Sequence, residues 1–121
     1  MNKYAHKTYQ KSFFNEKKCG IASARAGNVI GGGDWSENRL IPDCIKSWSV
    51  NKKAMIRNPK STRPWQHVLE PLSGYLTLAI ALQEKIRFHG EPFNFGPPAL
   101  NNNTVLALVQ EMSRYWDQVS W

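Results

Sequence analysis

Apolar residues recur at helical spacing in four segments of the chain, and each segment predicts an amphipathic helix. The first helix covers residues 3–17 and has an aromatic face that needs a partner surface. The second covers residues 40–48 and keeps Pro42 near its start, where proline is tolerated. Their apolar faces hold Tyr9, Phe13 and Phe14 in the first helix and Leu40, Ile41, Cys44, Ile45 and Trp48 in the second.

Two further helices are predicted in the second half of the chain. The third begins at Pro71, a residue that favours the first helical position, and is closed by Gly90. The fourth covers residues 105–116, and the Asn101–Asn103 cluster before it is expected to supply its cap.

Four apolar stretches of strand length lie between these helices. Residues 19–30 carry few charges and predict a largely buried strand. Short strands are predicted at residues 54–56 and 65–69, on either side of a turn-forming segment, and at Phe93–Phe95. The order of elements is typical of an α/β fold. Because a buried strand needs neighbours on both sides, the chain resembles part of a larger sheet.

The composition fits one hydrophobic core and an anionic partner. Of 121 residues, 41% are hydrophobic and 12% aromatic. Lys and Arg number 16 against 9 Asp and Glu, so the net charge is +7, which favours anionic ligands. The lysines are dispersed, whereas nucleic-acid-binding proteins concentrate basic residues on one face. We therefore predict no nucleic-acid partner and keep a non-enzymatic basic binding module as an alternative.

The sequence contains no stretch with the length and hydrophobicity of a signal peptide or a membrane span. Cys19 and Cys44 form neither a disulfide framework nor a metal-binding pair, and apolar neighbours are typical of packed, reduced thiols. We expect a cytoplasmic protein with no membrane partner.

Glycines 31–33 stand between a strand and a helix, the place of a dinucleotide-binding loop. The G-x-G-x-x-G spacing would need glycine where Ser36 stands, and no acidic residue follows at the distance of a ribose contact. A flexible turn is the favoured interpretation. No His or Cys spacing indicates a metal, and no nucleophile motif is present, so we predict neither metal ligands nor catalytic residues.

Arg63, Trp65 and His67 alternate on one predicted strand and therefore point to one side of it. A guanidinium can bind phosphate oxygens with two parallel hydrogen bonds, so Arg63 is a candidate phosphate ligand. The residues support equally well a structural interpretation, in which Arg63 pairs with a surface acid and Trp65 belongs to the core.

Five segments carry motifs that belong together. They are RAGNVIGGGDW at residues 25–35, RLIPD at 39–43, IRNP at 56–59, RPWQHVLEPLSGY at 63–75 and FNFGP at 93–97. In this order they resemble the extended short-chain dehydrogenase/reductase family, and most closely its CDP-glucose 4,6-dehydratase branch. Several motifs in register make the resemblance specific.

The resemblance implies a two-lobed enzyme in which an N-terminal Rossmann lobe binds NAD and a C-terminal lobe holds a nucleotide sugar of the CDP-glucose type. At the positions that match the family's motifs, the resemblance implies that Asn28 and Arg63 contact the diphosphate of the substrate. Leu40, Ile41 and Pro42 would lie against the nucleotide, and Asn58, Trp65 and His67 would lie near the diphosphate. The choice of CDP rests on the resemblance alone.

The sequence lacks the residues with which the family carries out its chemistry. The family uses a Tyr-x-x-x-Lys pair in which lysine lowers the tyrosine pKa, and no tyrosine here has lysine four residues later. The cofactor fingerprint is absent as well. We therefore expect an inactive fragment from the C-terminal half, with residues 1–35 ending the Rossmann-like part and residues 36–121 forming the substrate-binding part. NAD is expected in the full-length family and not in this chain alone.

The expected fold is thus the α/β substrate-binding part of an extended Rossmann-type sugar-nucleotide dehydratase, without its dinucleotide-binding part. The role implied is nucleotide-sugar metabolism, in deoxysugar or O-antigen (lipopolysaccharide) precursor synthesis. Another NAD-dependent nucleotide-sugar epimerase or dehydratase is the alternative within the family. A homo-oligomer, or a complementing Rossmann lobe, would cover unpaired strand edges and the aromatic helix face.

Overall fold

A computed structural model describes residues 3–14, 19–84, 88–98, 102–117 and 119–121 of the chain. Helices and strands are mixed, consistent with the predicted α/β class. The helices are α1 (Lys3–Phe13), α2 (Leu40–Trp48), α3 (Leu69–Glu84) and α4 (Val105–Ser113). The strands are β1 (Ser23–Ala26), β2 (Asn28–Ile30), β3 (Thr62–Arg63), β4 (Trp65–His67), β5 (Pro92–Phe95) and β6 (Asn103–Thr104).

The chain divides into two compact units, each made of two segments. Unit 1 contains Met1–Val29 and Gln66–Pro97, and unit 2 contains Ile30–Trp65 and Pro98–Trp121. The boundary predicted near residue 35 separates a Rossmann-like part from a substrate-binding part, whereas these two units are defined by how the chain packs. The predicted boundary is therefore not tested by the units and stays a prediction.

Unit 1 is built on a β–α–β arrangement in which β1 and β5 pair in parallel. Their register runs from Ser23 opposite Pro92 to Ala26 opposite Phe95. Helix α3 lies between them in sequence and packs against β5, where Gly74 meets the ring of Phe95 so closely that a Cβ would clash with it. Parallel strands need such a crossover connection, which α3 supplies.

A buried glutamine and an aromatic pair both hold Phe95, the last residue of β5, in place. The Gln66 side chain is 9% exposed, and its Nε2 donates to the Phe95 carbonyl oxygen over 3.0 Å. The rings of Tyr75 and Phe95 meet edge to face with centroids 5.3 Å apart. Strands β2 and β4 form a second two-stranded pair.

Unit 2 packs α2 against the C-terminal segment. Its core consists of Cys44, Trp48, Ala54 and Val109, and Leu40, Ile56, Met112 and Val119 are packed against it. The Ser120 carbonyl oxygen accepts hydrogen bonds from Trp48 Nε1 at 3.1 Å and from the Ala54 amide at 3.0 Å. Strands β3 and β6 pair antiparallel, with Arg63 opposite Asn103.

The four helices are confirmed, although residues 15–18 and 85–87 at the ends of two of them lie outside the described residues. Pro42 stands in the first turn of α2 and is buried there, as its fixed φ allows. The Gly32–Gly33 turn is also confirmed, and Gly33 has the positive φ of +79° that glycine adopts readily.

Two strand predictions were wrong. Residues 19–30 form two short strands rather than one, and none of their side chains is fully buried, because β1 has a single neighbour among the described strands. Residues 54–56 form no strand, and Ala54 instead packs into the core of unit 2. The strand predicted at 65–69 ends at His67, where α3 begins two residues later.

The predicted cap of the last helix was also wrong. Thr104, and not the asparagine cluster, is the N-cap of α4, and its side-chain oxygen accepts from the Ala107 amide at 3.0 Å. Asn103 is paired in β6 and Asn101 lies outside the described residues. Within the part of the chain that the structure describes, no helix has the length and apolar character needed to span a membrane.

Candidate functional site

The predicted nucleotide contacts Leu40, Ile41 and Pro42 form the first turn of α2 in unit 2. Pro42 is buried, Leu40 packs against the core and Ile41 is half-buried. The N-cap residue Arg39 is extended, and no side chain caps this helix. The amides of an uncapped helix start, together with the helix dipole, favour an anion.

The loop before α2 is held in place by side chains. Lys46 Nζ, from the last turn of α2, donates to the Trp35 carbonyl oxygen at 2.7 Å. Asp34 Oδ1 accepts from the Ser36 amide at 3.0 Å, and Arg39 lies 3.9 Å from Asp34 Oδ2. Hydrogen bonds from Ser36, more than the charges of Arg39 and Lys46, lower the pKa of Asp34. The loop therefore has a defined shape although it is exposed.

Arg57 is a residue of this site that the sequence interpretation did not include. Its Nη2 donates to Asn38 Oδ1 at 2.7 Å, which brings the guanidinium to the residues just before α2. Asn38 has φ of +60°, a left-handed conformation that asparagine tolerates better than most residues. The only sequence signal was that Arg57 lies in the IRNP motif.

Asn58 and Arg63 lie on the loop and strand that follow. Asn58 is exposed, and its carbonyl oxygen accepts from the Ser61 amide at 3.2 Å in a turn. Arg63 is exposed on β3, and its Nη1 donates to the carbonyl oxygen of the adjacent Thr62 at 2.9 Å. Arg63 takes part in neither of the two ion pairs among the described residues, which join Arg39 to Asp34 and Arg114 to Glu111.

The start of α4, by contrast, is already satisfied. The amides of Val105 and Leu106 donate to the carbonyl oxygens of Ser61 and Pro59, each at 2.9 Å. Since Thr104 takes the next amide, this helix start offers a ligand none of its first three donors.

Arg63, Trp65 and His67 do not share one strand, so the predicted common face was wrong. Pro64, which lacks an amide donor, separates β3 from β4. Trp65 is half-buried, and its Nε1 is buried without a hydrogen-bond partner. The exposed His67 has a local structural role, because its Nδ1 accepts from the Leu69 amide at 3.3 Å where α3 begins.

Asn28 is the first residue of β2 and is half-buried in unit 1. Because β2 pairs with β4, Asn28 and His67, which both belong to unit 1, lie on neighbouring strands. The predicted site residues thus form two groups. Asn28 and His67 belong to unit 1, whereas the group in unit 2 contains Leu40, Ile41, Pro42, Asn58, Arg63 and Trp65.

The glycine turn does not fit a dinucleotide pyrophosphate. Helix α2 begins at Leu40, seven positions beyond Gly33, so the turn does not lead directly into a helix start. The carboxylate of Asp34, which follows at once, would repel a phosphate. No group of three metal-ligating side chains occurs among the described residues either. We therefore assign no step of cofactor or metal chemistry to this part of the chain.

The chain matches no protein-family model. It is 49% identical, over 119 residues, to the CDP-glucose 4,6-dehydratase of Salmonella typhimurium strain LT2. The matched region includes 93% of this chain and 33% of that protein, so the chain spans about a third of the length of its curated relative. Over almost its whole length, therefore, the chain is related in sequence to a CDP-glucose 4,6-dehydratase, as its motifs predicted.

Proposed function

We propose that this chain binds the nucleotide-sugar substrate of a CDP-glucose 4,6-dehydratase-like enzyme and has no dehydratase activity alone. Its ligand is a nucleoside diphosphate sugar of the CDP-glucose type, used in deoxysugar or O-antigen precursor synthesis in the cytoplasm. The relationship to the Salmonella enzyme supports the substrate class, since the relative is named for that substrate.

One structural observation carries the proposal furthest. At the uncapped start of α2, the Arg57 guanidinium is held by Asn38 and has no carboxylate partner among the described residues. The first turn of the same helix holds Leu40, Ile41 and Pro42, the residues that the resemblance assigns to the nucleotide. A diphosphate is the ligand that would satisfy both the helix amides and a guanidinium.

The second guanidinium, Arg63, supports the same ligand. It is exposed in the same unit, and among the described residues its guanidinium donates one hydrogen bond, to the neighbouring Thr62 carbonyl oxygen. Because a guanidinium has five donors in a planar fork, this bond leaves Arg63 able to bind two phosphate oxygens. On this proposal Asn58 and Trp65 line the site in unit 2, and the roles of Asn28 and His67 stay predictions.

On this proposal, the chain does not itself carry out the redox step of the reaction. The family's hydride transfer needs NAD and a Tyr-x-x-x-Lys pair, and this sequence contains no such pair. We therefore expect the chain to show no NAD binding and no turnover of CDP-glucose when it is tested alone.

The test is a titration of the pure protein with CDP-glucose, CDP and dTDP-glucose, followed by backbone amide chemical shifts at low salt. We expect shifts near Ile41, Arg57 and Arg63, largest with CDP-glucose. Replacing Arg57 or Arg63 by Gln removes a charge-assisted contact of about 1.5–3 kcal/mol, which raises the Kd roughly ten- to a hundredfold.

Arg114→Gln is the matched control, because Arg114 is exposed in the same unit and already paired with Glu111 at 2.8 Å. Equal effects of all three substitutions would mean that only the net charge matters, and the proposal would fail. Binding of an unrelated oligonucleotide with a steep salt dependence, without any preference among nucleotide sugars, would favour a basic nucleic-acid-binding module instead.

A further inference from the structure

Trp35, in the loop that leads into α2, is the most exposed of the five tryptophans of the chain. It is 64% exposed, whereas Trp48 in the core of unit 2 is 3% exposed. No aromatic ring packs against the indole among the residues that the structure describes. Since tryptophan usually buries most of its large apolar surface, this exposed indole is a candidate contact for a ligand.

The backbone on both sides of Trp35 is held in place. Lys46 Nζ donates to the Trp35 carbonyl oxygen at 2.7 Å, and the Ser36 amide donates to Asp34 Oδ1 at 3.0 Å. Neither bond uses the indole, so the loop presents the ring without depending on it. A tryptophan side chain has only two rotatable bonds, and ordering it against a ligand costs little conformational entropy. The loop therefore provides a preorganised aromatic surface.

This aromatic surface belongs to the same unit as the proposed diphosphate contacts and is linked to them. Asp34 Oδ2 lies 3.9 Å from Nη1 of Arg39, the N-cap residue of α2, and Arg57 donates to the neighbouring Asn38. These contacts lead from the residue before Trp35 to the guanidinium that is proposed to bind phosphate. A nucleoside diphosphate held there must place its base on a nearby surface, because only the ribose separates the base from the first phosphate.

The other exposed aromatic side chains of unit 2 are less suitable for a base. Tyr115, Trp116 and Trp121 follow the end of α4, where the carbonyl end of the helix dipole disfavours a phosphate. The Trp116 ring already packs against Trp48, with centroids 6.2 Å apart, and the Tyr115 hydroxyl donates to Glu111. Trp35 is therefore the aromatic residue that fits a ligand bound at the start of α2.

The charges beside Trp35 favour an uncharged ring over a polyanion. Asp34 and Glu37 lie close to Trp35 in sequence, and their carboxylates repel a nucleic acid or an acidic membrane at this loop. A nucleobase is uncharged, and the π-face of any base can stack on an indole. The ring of a base therefore fits this loop better than a phosphate does.

We propose that the Trp35 indole is the stacking surface for the nucleobase of the ligand. This inference rests on the proposed function, because a diphosphate bound at the start of α2 brings the base to this loop. Trp35 strengthens the binding of nucleoside diphosphates as a class, and it does not by itself distinguish cytosine from thymine. Selection among bases then depends on polar contacts other than the stacking.

The experiment compares CDP with inorganic pyrophosphate, which has two phosphates and no base. Calorimetric titration of the pure protein should give tighter binding of CDP than of pyrophosphate. Trp35→Ala should raise the Kd of CDP about five- to a hundredfold, the usual effect of removing one stacking ring, and leave the Kd of pyrophosphate within about twofold. Trp35→Phe should retain most of the CDP affinity. Tyr115→Ala is the matched control, since Tyr115 is 82% exposed in the same unit and lies outside this loop.

Tryptophan fluorescence gives a second measurement. A base stacked on an indole quenches its emission, so saturating CDP should quench the wild type more than it quenches Trp35→Phe. Far-UV circular dichroism of each variant checks that the fold is kept.

Two results would overturn the stacking and leave the phosphate contacts of the proposed function in place. The first is a CDP affinity that Trp35→Ala does not change. The second is an equal loss of CDP and pyrophosphate binding in Trp35→Ala, which would mean that the ring supports the loop. A wild-type protein that binds neither compound would contradict the proposed function itself, and with it this inference.

Discussion

At the scale of single residues, the two thiols of the chain differ sharply in environment. Cys44 is 1% exposed in the core of unit 2, whereas Cys19 is exposed and so departs from the expected packed thiol. Burial, and secondarily the nearby Asp43 carboxylate, raises the pKa of Cys44 from 9.0 to about 11. The native protein therefore holds a proton at Cys44 that the unfolded chain releases earlier as the pH rises.

This difference predicts a pH dependence of stability. The contribution of Cys44 is fully present below about pH 9 and is lost as the pH rises towards about 11. Urea denaturation between pH 8 and pH 11 should show a steeper fall of unfolding free energy for the wild type than for Cys44→Ala. Cys19→Ala, which removes the exposed thiol, is the matched control for the loss of a cysteine side chain. A slope unchanged by Cys44→Ala would show that the thiol does not titrate differently in the two states.

Gly74 gives a second prediction at this scale. Alanine normally stabilises a helix relative to glycine by about 1 kcal/mol, yet here a Cβ would clash with the rigid Phe95 ring. We expect Gly74→Ala to lower the unfolding free energy by about 1–3 kcal/mol in chemical denaturation. Ser73→Ala, one position earlier on α3, should stay within about 0.5 kcal/mol of the wild type. A stabilised Gly74→Ala protein would contradict the close approach.

At the scale of elements, the cap of α4 can be tested directly. Thr104→Ala removes the acceptor for the Ala107 amide and should cost about 1 kcal/mol of unfolding free energy, whereas Thr104→Ser keeps an oxygen in place. Asn103→Ala should cost less than Thr104→Ala, because Asn103 does not cap the helix. The reverse order, measured by thermal or urea unfolding, would restore the asparagine cluster as the cap.

Helices were predicted more reliably than strands, although the strand predicted at Phe93–Phe95 is confirmed as part of β5. The apolar periodicity of α2 arises from packing within one unit, so it correctly predicts that Cys44 and Trp48 are buried. The length of a strand depends on which strands pair with it, and sequence periodicity does not reveal those partners. Residues 19–30 accordingly form two strands, β1 and β2, instead of the one that was predicted. The apolar face of α3 was recognised, but its periodicity could not show which of its two sides the unit itself covers.

At the scale of the whole molecule, unit 2 depends on a small core, in which Val109 is fully buried. Val109→Ala removes two methyl groups from this core and should cost about 1–3 kcal/mol. Tryptophan fluorescence, to which Trp48 of the same core contributes, can follow the unfolding. Val50→Ala is the control, since Val50 is 59% exposed and should change stability little. Equal losses from both would mean that Val109 does not anchor the core.

The candidate site was only partly accessible from the sequence. Motif order predicted the relationship to a nucleotide-sugar dehydratase, which the identity to the Salmonella enzyme supports, and assigned the first turn of α2 to the nucleotide, which stays a prediction. It did not identify Arg57 as a partner of Asn38, since that contact depends on the left-handed turn before α2. Nor did it separate Arg63 from Trp65, because the effect of Pro64 on strand pairing depends on which edge it occupies.

The double hydrogen bond to Ser120 has a consequence for how the protein can be handled. One carbonyl oxygen, that of Ser120, holds both the Trp48 indole and the Ala54 amide. A protease cut that separates Ser120 from the rest of unit 2 would therefore leave two inner donors without an acceptor. Limited proteolysis near residue 119, ordinarily harmless in an exposed segment, would here loosen the interior of unit 2.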